Sequence, residues 1–211
     1  AGSEETIYRA LAMRHMELPV GSFIQDALSE IPALSADLLR SNVKDEENHD
    51  LALGYIANAL GVDETAEAEA KRLRDAWEAH PDHTVLKALV AERAIFFVLL
   101  PFFRFNGDAG LRTVSADISR DEQVHVAANS LVCKELGLEI SPSLDKLRKA
   151  TINWVMSPLK ASTNKYLDKK FWLDASDRLM YEGKAPELSD TKRARMPAFF
   201  EHANPNLPQY A

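Results

Sequence analysis

Two short segments nearly repeat each other and constrain this chain more than any other feature. The first is Asp-Glu-Glu-Asn-His at residues 45–49, and the second is Asp-Glu-Gln-Val-His at residues 121–125. In each segment a Glu precedes a His by three residues, so on an α-helix both side chains lie on one face about one turn apart. A carboxylate and an imidazole from each of two helices supply half-sites for two metal ions. The repeat therefore predicts a helical protein with a metal site.

Composition sets the class of protein in which that site would lie. A chain of 211 residues with only 8 glycines and many Ala, Leu and Glu residues favours one all-α domain with a substantial core. The net charge of −7 argues against nucleic acid or an anionic membrane as the main partner. Cys133 is the only cysteine, which excludes a disulfide framework, and the acidic, polar start shows no signal peptide. We therefore expect a cytoplasmic protein that does not enter membranes.

Helical periodicity and helix-breaking residues divide the chain into elements. Ser35 and Ser143 are expected to be N-caps of two of the helices. The chain is expected to form a helical domain over residues 1–195 and an extended C-terminal tail over residues 196–211, because three prolines fall in that tail. The predicted helices cover residues 4–19, 23–28, 35–60, 64–79, 83–105, 109–136, 144–156 and 160–181.

Turn positions suggest partners for the two Glu-x-x-His segments. In an antiparallel helical hairpin, residues equidistant from the turn lie at the same level. Two turns are placed so that this rule applies, the Ile-Pro step at residues 31–32 and the Asn-Gly-Asp turn at residues 106–108. The level pairs that they predict are Glu17 with Glu46 and Glu92 with Glu122. The chain would thus contain two similar hairpins, each with Glu on one helix and Glu-x-x-His on the next.

The combined set has the composition of a di-metal carboxylate site. Four carboxylates buried together would repel one another, whereas two divalent cations would neutralise them. Asp26 is an alternative to Glu17, because Pro19 disturbs the helix that carries Glu17. Glu92 has the alternatives of facing solvent or pairing with Arg93 or Arg120. The predicted metal ligands are Glu17, Glu46, His49, Glu92, Glu122 and His125.

Residues next to the ligands are candidates for a supporting role. Asp45 and Asp121 lie one turn before each His, and we expect them to orient the histidines rather than to bind metal. Arg120 is expected in the same outer layer. The other histidines have no ligand-like partners in the sequence and are expected at the surface; they are His15, His80, His83 and His202.

This constellation resembles the ferritin-like di-metal carboxylate superfamily, and most of all the small, radical-generating subunit of class I ribonucleotide reductase. Residues 119–125, Ser-Arg-Asp-Glu-Gln-Val-His, are similar to that family's Ala-Arg-Asp-Glu-Ala-Leu-His helix. Phe96 and Ile118 match apolar residues of the family's radical pocket, and residues 17–21 match its first-ligand segment. The resemblance implies a ferritin-like four-helix bundle core with additional C-terminal helices, a homodimer, dioxygen as reactant and two metal ions, as Fe/Fe, Mn/Fe or Mn/Mn.

Two departures affect what the resemblance implies. Leu53 stands where the family has its radical tyrosine, although a few relatives hold the oxidising equivalent on the metals instead. No tryptophan precedes Glu17, so the family's radical-transfer tryptophan has no counterpart there. Asp121 matches the family's relay aspartate, and Tyr210 lies where the family keeps its last relay tyrosine. The implied partner is a ribonucleotide reductase large subunit or another electron donor.

The chain also resembles aldehyde-deformylating oxygenases and other small di-iron oxygenases, which have a similar Arg-Asp-Glu-x-x-His helix. In such an enzyme the apolar residues Leu53, Phe96, Leu100 and Ile118 would line a pocket for a hydrophobic substrate; alternatively they are only core. A ferritin-like iron-handling protein is a third alternative. The sequence therefore predicts a dioxygen-activating di-metal oxidoreductase and leaves its substrate or partner open.

Overall fold

The computed structural model describes residues 2–188, and its secondary structure there is helical apart from one isolated bridge between Lys160 and Asp168. The all-α prediction is confirmed. None of the helices in this range combines the length and apolarity needed to cross a membrane. The α-helices are α1 (Gly2–Ala12), α2 (Glu17–Ala27), α3 (Ala33–Leu60), α4 (Glu64–Glu78), α5 (Thr84–Ala91), α6 (Phe97–Asn106), α7 (Ala109–Glu135), α8 (Pro142–Met156) and α9 (Lys169–Glu182). The predicted tail at 196–211 and the domain boundary at 195 lie outside the described residues.

Four helical rods form the centre of the fold. Helices α5 and α6 are joined without a break by a π turn, Glu92–Phe96, and act as one rod. Helix α2 packs against α3 and α5, while α7 packs against α3, α5 and α6. We call α2, α3, α5–α6 and α7 the four-helix core. Helices α1 and α4 pack together at its side, and α8 and α9 pack against the π turn.

The two predicted hairpins are present, and α2 is the first helix of the first hairpin. A short 3₁₀ segment, Met13–Met16, separates α1 from α2, so α2 begins at Glu17. Pro19 therefore lies in the first turn of α2, where a missing N–H removes no hydrogen bond. The helix predicted over residues 4–19 is thus interrupted in the turn before Pro19, and α2 then continues past Pro19 to Ala27.

Several predicted helix boundaries need correction. Helix α3 follows Pro32, and Ser35 lies within its first turn, where its hydroxyl bonds Glu135 of α7 at 3.3 Å. Ser141, rather than Ser143, caps α8, because its side chain accepts from the Leu144 N–H. The helix expected from residue 160 begins only at Lys169. Asp168 caps that helix, and the preceding loop contains the 3₁₀ turn Lys165–Leu167.

A buried ammonium group joins α5 to the end of α4. Lys87 is 3% exposed, and its Nζ donates to the carbonyls of Trp77, Glu78 and His80 at 3.0–3.2 Å. These carbonyls lie at and beyond the C-terminus of α4, where backbone acceptors have no helical partner. Nζ also lies 4.2 Å from the centroid of the Phe23 ring. Lys87 thus connects α5, α4 and α2.

Lys87→Met should keep the buried alkyl chain but remove all three donors. We expect the free energy of unfolding in urea to fall by about 2–3 kcal/mol, because buried carbonyls lose charged hydrogen-bond partners. Lys71→Met, on the exposed face of α4, is the control and should change it by less than ~0.5 kcal/mol. Equal effects of the two substitutions would contradict this role of Lys87.

Candidate metal centre

The six predicted ligand residues converge at the centre of the four-helix core. Each exposes at most 3% of its surface, although all are polar or charged. Each rod contributes at least one carboxylate, and α3 and α7 each add a histidine one turn further on. The contributing residues are Glu17 on α2, Glu46 and His49 on α3, Glu92 at the start of the π turn, and Glu122 and His125 on α7.

The cluster divides into two overlapping groups of four residues. Within each group the potential ligand atoms all lie within 4.8 Å of one another. We call the groups the first quartet, Glu17, Glu46, His49 and Glu122, and the second quartet, Glu46, Glu92, Glu122 and His125. Because Glu46 and Glu122 belong to both, these two carboxylates are placed to bridge two ions. The remaining members supply one carboxylate and one imidazole to each side.

The ligand atoms lack other partners. Among residues 2–188, no hydrogen bond reaches the carboxylate oxygens of Glu17, Glu46 and Glu122, or Nδ1 of either histidine. His125 Nδ1 lies 3.0 Å from Glu46 Oε1, and His49 Nδ1 lies 3.4 Å from Glu122 Oε1. Buried polar atoms without partners cost several kcal/mol each. Oxygen and imidazole donors in this arrangement fit two divalent cations of the iron or manganese type.

Two aspartates contact the Nε2 atoms of the histidines, on the side of each ring that faces away from the cluster. Each contact joins α3 to α7. Asp121 of α7 lies 3.1 Å from His49 Nε2 of α3, and Asp45 of α3 lies 3.0 Å from His125 Nε2 of α7. An Nε2–H that donates to a carboxylate leaves Nδ1 free to bind metal. The structure thus brings both aspartates to the expected orienting position, on the histidine of the opposite helix.

Charge within the metal-free cluster is balanced by protons. Burial raises the pKa of Glu17 well above its ordinary value, and burial together with the charges of Glu122 and Glu46 does the same for Glu92. Burial also acts on Glu46, but contacts with His125 and His49 outweigh it and lower the pKa of Glu46 to about 2. Burial opposes protonation of His125, yet Glu122 and Glu46 raise its pKa to about 11. The raised pKa values favour protonation of Glu17, Glu92 and His125, which offsets part of the buried negative charge.

A residue that the sequence interpretation missed orients Glu92. Asn129 is fully buried on α7, one turn beyond His125, and its Nδ2 donates to Glu92 Oε2 at 2.6 Å. Asn42 is also fully buried, one turn before Glu46, and neither of its amide atoms has a partner within the described residues. The signal that could have found both is their four-residue spacing from a predicted ligand, on the same helix face.

Two alternatives for the ligand set are excluded by the structure. Arg93 and Arg120 were possible partners of Glu92, but Arg93 Nε donates to the Leu179 carbonyl and Arg120 pairs with Asp117 at 2.8 Å. Asp26 is exposed and belongs to neither quartet. The expectation that Arg120 lies beside the ligands is wrong, because its side chain is 56% exposed and points away from the buried face of α7.

The remaining predicted positions are the apolar pocket residues, the relay residue Tyr210 and the histidines outside the cluster. Each of Leu53, Phe96, Leu100 and Ile118 is at most 4% exposed and belongs to the continuous hydrophobic core. Tyr210 lies outside the described residues, as does His202. The three remaining histidines belong to neither quartet and are partly exposed at the surface, where they have partners. His15 contacts Glu67, His80 accepts from the Asp82 N–H, and His83 caps α5.

A groove on the surface between α2 and α3 lies beside the cluster. Its volume is about 240 Å³, and its lining includes Glu46, Gly21 and Val43. A Cβ added to Gly21 would lie 3.3 Å from Glu46 Cβ and 3.7 Å from the Val43 carbonyl. Glycine therefore allows α2 to approach α3 closely at the level of a shared carboxylate.

Comparison with protein-family models, with curated proteins and with solved structures gives no match to this chain. The chemistry of the cluster rests on its own residues, a buried set of four carboxylates and two imidazoles that divides into two groups of four.

Glu17→Met should stabilise the metal-free protein, because it removes a buried carboxyl group that accepts no hydrogen bond. We expect the free energy of unfolding at pH 8, with chelator present, to rise by about 1–3 kcal/mol. The pKa of Glu17 is raised in the folded state, so its contribution to stability is greatest below the ordinary value of 4.5 and is lost as pH rises. The gain from Met should therefore be larger at pH 8 than at pH 5.

The control for this substitution is Glu69→Met, at a half-buried surface carboxylate that pairs with Arg72 at 2.6 Å. It should change the free energy of unfolding by less than ~0.5 kcal/mol at either pH. A loss of stability in Glu17→Met that grows with pH would contradict the assignment of an unsatisfied buried acid.

Proposed function

We propose that this protein is a dioxygen-activating di-metal carboxylate oxidoreductase with a ferritin-like four-helix bundle, similar to the small subunit of class I ribonucleotide reductase. The observation that carries the proposal is the pair of buried quartets that share Glu46 and Glu122. The ligand set of that superfamily consists of two bridging carboxylates, with one further carboxylate and one imidazole for each metal ion. Fe/Fe is the leading metal content, and Mn/Fe or Mn/Mn suits the same donors.

The residues around the quartets suit redox chemistry rather than a purely structural role. A pair of reduced iron or manganese ions would supply electrons to dioxygen in this site. The core residues Leu53, Phe96 and Ile118 are buried and apolar, and such surroundings exclude water from a reactive centre. Asp45 and Asp121 hold the imidazoles, and Asn129 holds Glu92. The carboxylates of Glu17, Glu46 and Glu122 accept no hydrogen bond within residues 2–188, so they are the members of the set that are free to change position.

One feature supports delivery of the oxidising equivalent to another protein. The Asp121 side chain is 48% exposed, while the His49 ring to which it bonds is 4% exposed. This pair connects a buried ligand to the protein surface by one hydrogen bond. Leu53 cannot form a side-chain radical at the position where the family has a tyrosine. We therefore propose an electron-transfer partner, either an electron donor or a ribonucleotide reductase large subunit, that docks over Asp121.

A stand-alone oxygenase is the second candidate, and the groove beside Glu46 favours it. That groove would give a small molecule a route toward a shared carboxylate. Its wall includes Ser22, Gln25 and Asp26, which suits a small polar substrate better than a long hydrophobic one. A Ser22→Trp variant, at an exposed residue of the groove wall, separates the candidates, because it should obstruct a substrate in the groove but leave exchange of electrons with a partner at Asp121 unaffected.

The two quartets predict a specific pattern of metal loss. Glu17→Gln should abolish one of two Co²⁺ sites in a calorimetric titration, and Glu92→Gln should abolish the other. Glu122→Ala should weaken both sites at least tenfold, because Glu122 belongs to both quartets. Glu47→Gln is the control, since Glu47 is exposed on α3 and pairs with Lys44 at 2.7 Å. Unchanged two-metal stoichiometry in Glu122→Ala would contradict the assignment.

The proposed reaction is tested by loading the protein with Fe(II) without oxygen and then adding dioxygen. We expect bound Fe(II) to be oxidised much faster than Fe(II) in buffer, with oxygen consumption measured by electrode and the product by electron paramagnetic resonance. Glu122→Ala should oxidise Fe(II) no faster than buffer. If the wild-type protein binds two Fe(II) ions but oxidises them only at the buffer rate, the proposal of dioxygen activation fails.

A further inference from the structure

The π turn lies between α5 and α6, and its own five residues do not explain it. The Phe97 N–H donates to the Glu92 carbonyl five residues back, which widens the helix over Glu92–Phe96. The five residues of this segment, Glu-Arg-Ala-Ile-Phe, include neither Pro nor Gly and all fit an ordinary α-helix. π turns are rare and occur mostly at functional sites. Pro101 of α6 lies four residues after Phe97 and cannot donate to its carbonyl, and contacts from outside the helix hold the turn as well.

Helix α9 supplies those contacts. Ser176 is fully buried, and its Oγ donates to the Ala94 carbonyl in the middle of the π turn at 2.7 Å. From the other direction, Arg93 Nε donates to the Leu179 carbonyl of α9 at 2.8 Å. Two hydrogen bonds thus join the π turn to α9 and run in opposite directions.

A buried arginine determines the direction in which the Ser176 hydroxyl points. Arg148 of α8 is 1% exposed, and its Nη1 donates to Ser176 Oγ at 2.7 Å. Its remaining donors are held by Asp145 at 2.9 Å and Asp177 at 2.7 Å, so the guanidinium has one orientation. Since Ser176 Oγ accepts from Arg148, its own hydrogen is left to donate to the Ala94 carbonyl.

We propose that Ser176, oriented by Arg148, is a positioning residue that holds the π turn and thereby places Glu92 in the second quartet. Glu92 is the first residue of this turn, whereas the other five ligand residues lie on regular α-helices. Helices α8 and α9 are therefore part of the construction of one half of the metal centre. This inference rests on the proposed di-metal function and assigns the two quartets different supports.

Ser176→Ala tests the inference, because it removes one hydroxyl from a buried position without adding atoms. In the metal-free protein, hydrogen exchange of the backbone amides at residues 92–97 should be at least tenfold faster than in wild type. In a Co²⁺ titration one site should keep its wild-type affinity and the other should weaken at least tenfold. In a Glu92→Gln variant only the first-quartet site remains. Adding Ser176→Ala to that variant should leave the Co²⁺ affinity of this site unchanged.

Ser115→Ala is the matched control, since Ser115 is also fully buried but bonds the Leu111 carbonyl of its own helix. It should alter neither exchange at residues 92–97 nor the ratio of the two Co²⁺ affinities. Equal weakening of both sites in Ser176→Ala, or unchanged exchange in the π turn, would overturn the inference. If the wild-type protein binds no Co²⁺, the proposed function fails, while the exchange measurement still decides whether Ser176 holds the turn.

Discussion

Mutual neutralisation of buried charge at the centre of the four-helix core is the constraint on which the rest of the structure depends. Four carboxyl groups that are fully buried cannot all be ionised without counter-charge. In the metal-free state the two histidines and the protons on Glu17 and Glu92 provide it. The surrounding apolar core would favour removal of these groups, so their presence indicates a function that needs them.

The two halves of the centre are built differently. The first quartet is carried by α2, α3 and α7, which are regular α-helices where they supply ligands. The second quartet includes Glu92 on the π turn, and that residue is held by Asn129 at one end and, through the turn, by α9. A centre with unequal supports can bind two ions with unequal affinity, which would allow ordered loading or a mixed pair of metals.

Much of the site could be predicted because helix geometry converts sequence spacing directly into position. Glu46 and His49, like Glu122 and His125, share a helix face at a three-residue spacing regardless of the rest of the fold. The turns at 31–32 and 106–108 then bring Glu17 and Glu92 to the same centre.

Features that depend on other helices could not be predicted in this way. The π turn is held by a contact with α9, more than 80 residues along the chain, and its own five residues carry no signal. The crosswise pairing of Asp45 with His125 depends on the register of α3 against α7. Arg120 was misplaced because Ser119 and Glu122, close to it in sequence, are buried, whereas its own position faces outward. Asn129 was missed because a single Asn on a helix has several ordinary roles.

The central claim is that two metal ions lie side by side between Glu46 and Glu122. Anomalous X-ray diffraction at the manganese edge, on crystals of the manganese-loaded protein, tests it most directly. The account predicts two anomalous peaks, one among Glu17, Glu46, His49 and Glu122 and the other among Glu46, Glu92, Glu122 and His125. A single peak, or peaks outside these residues, would contradict it.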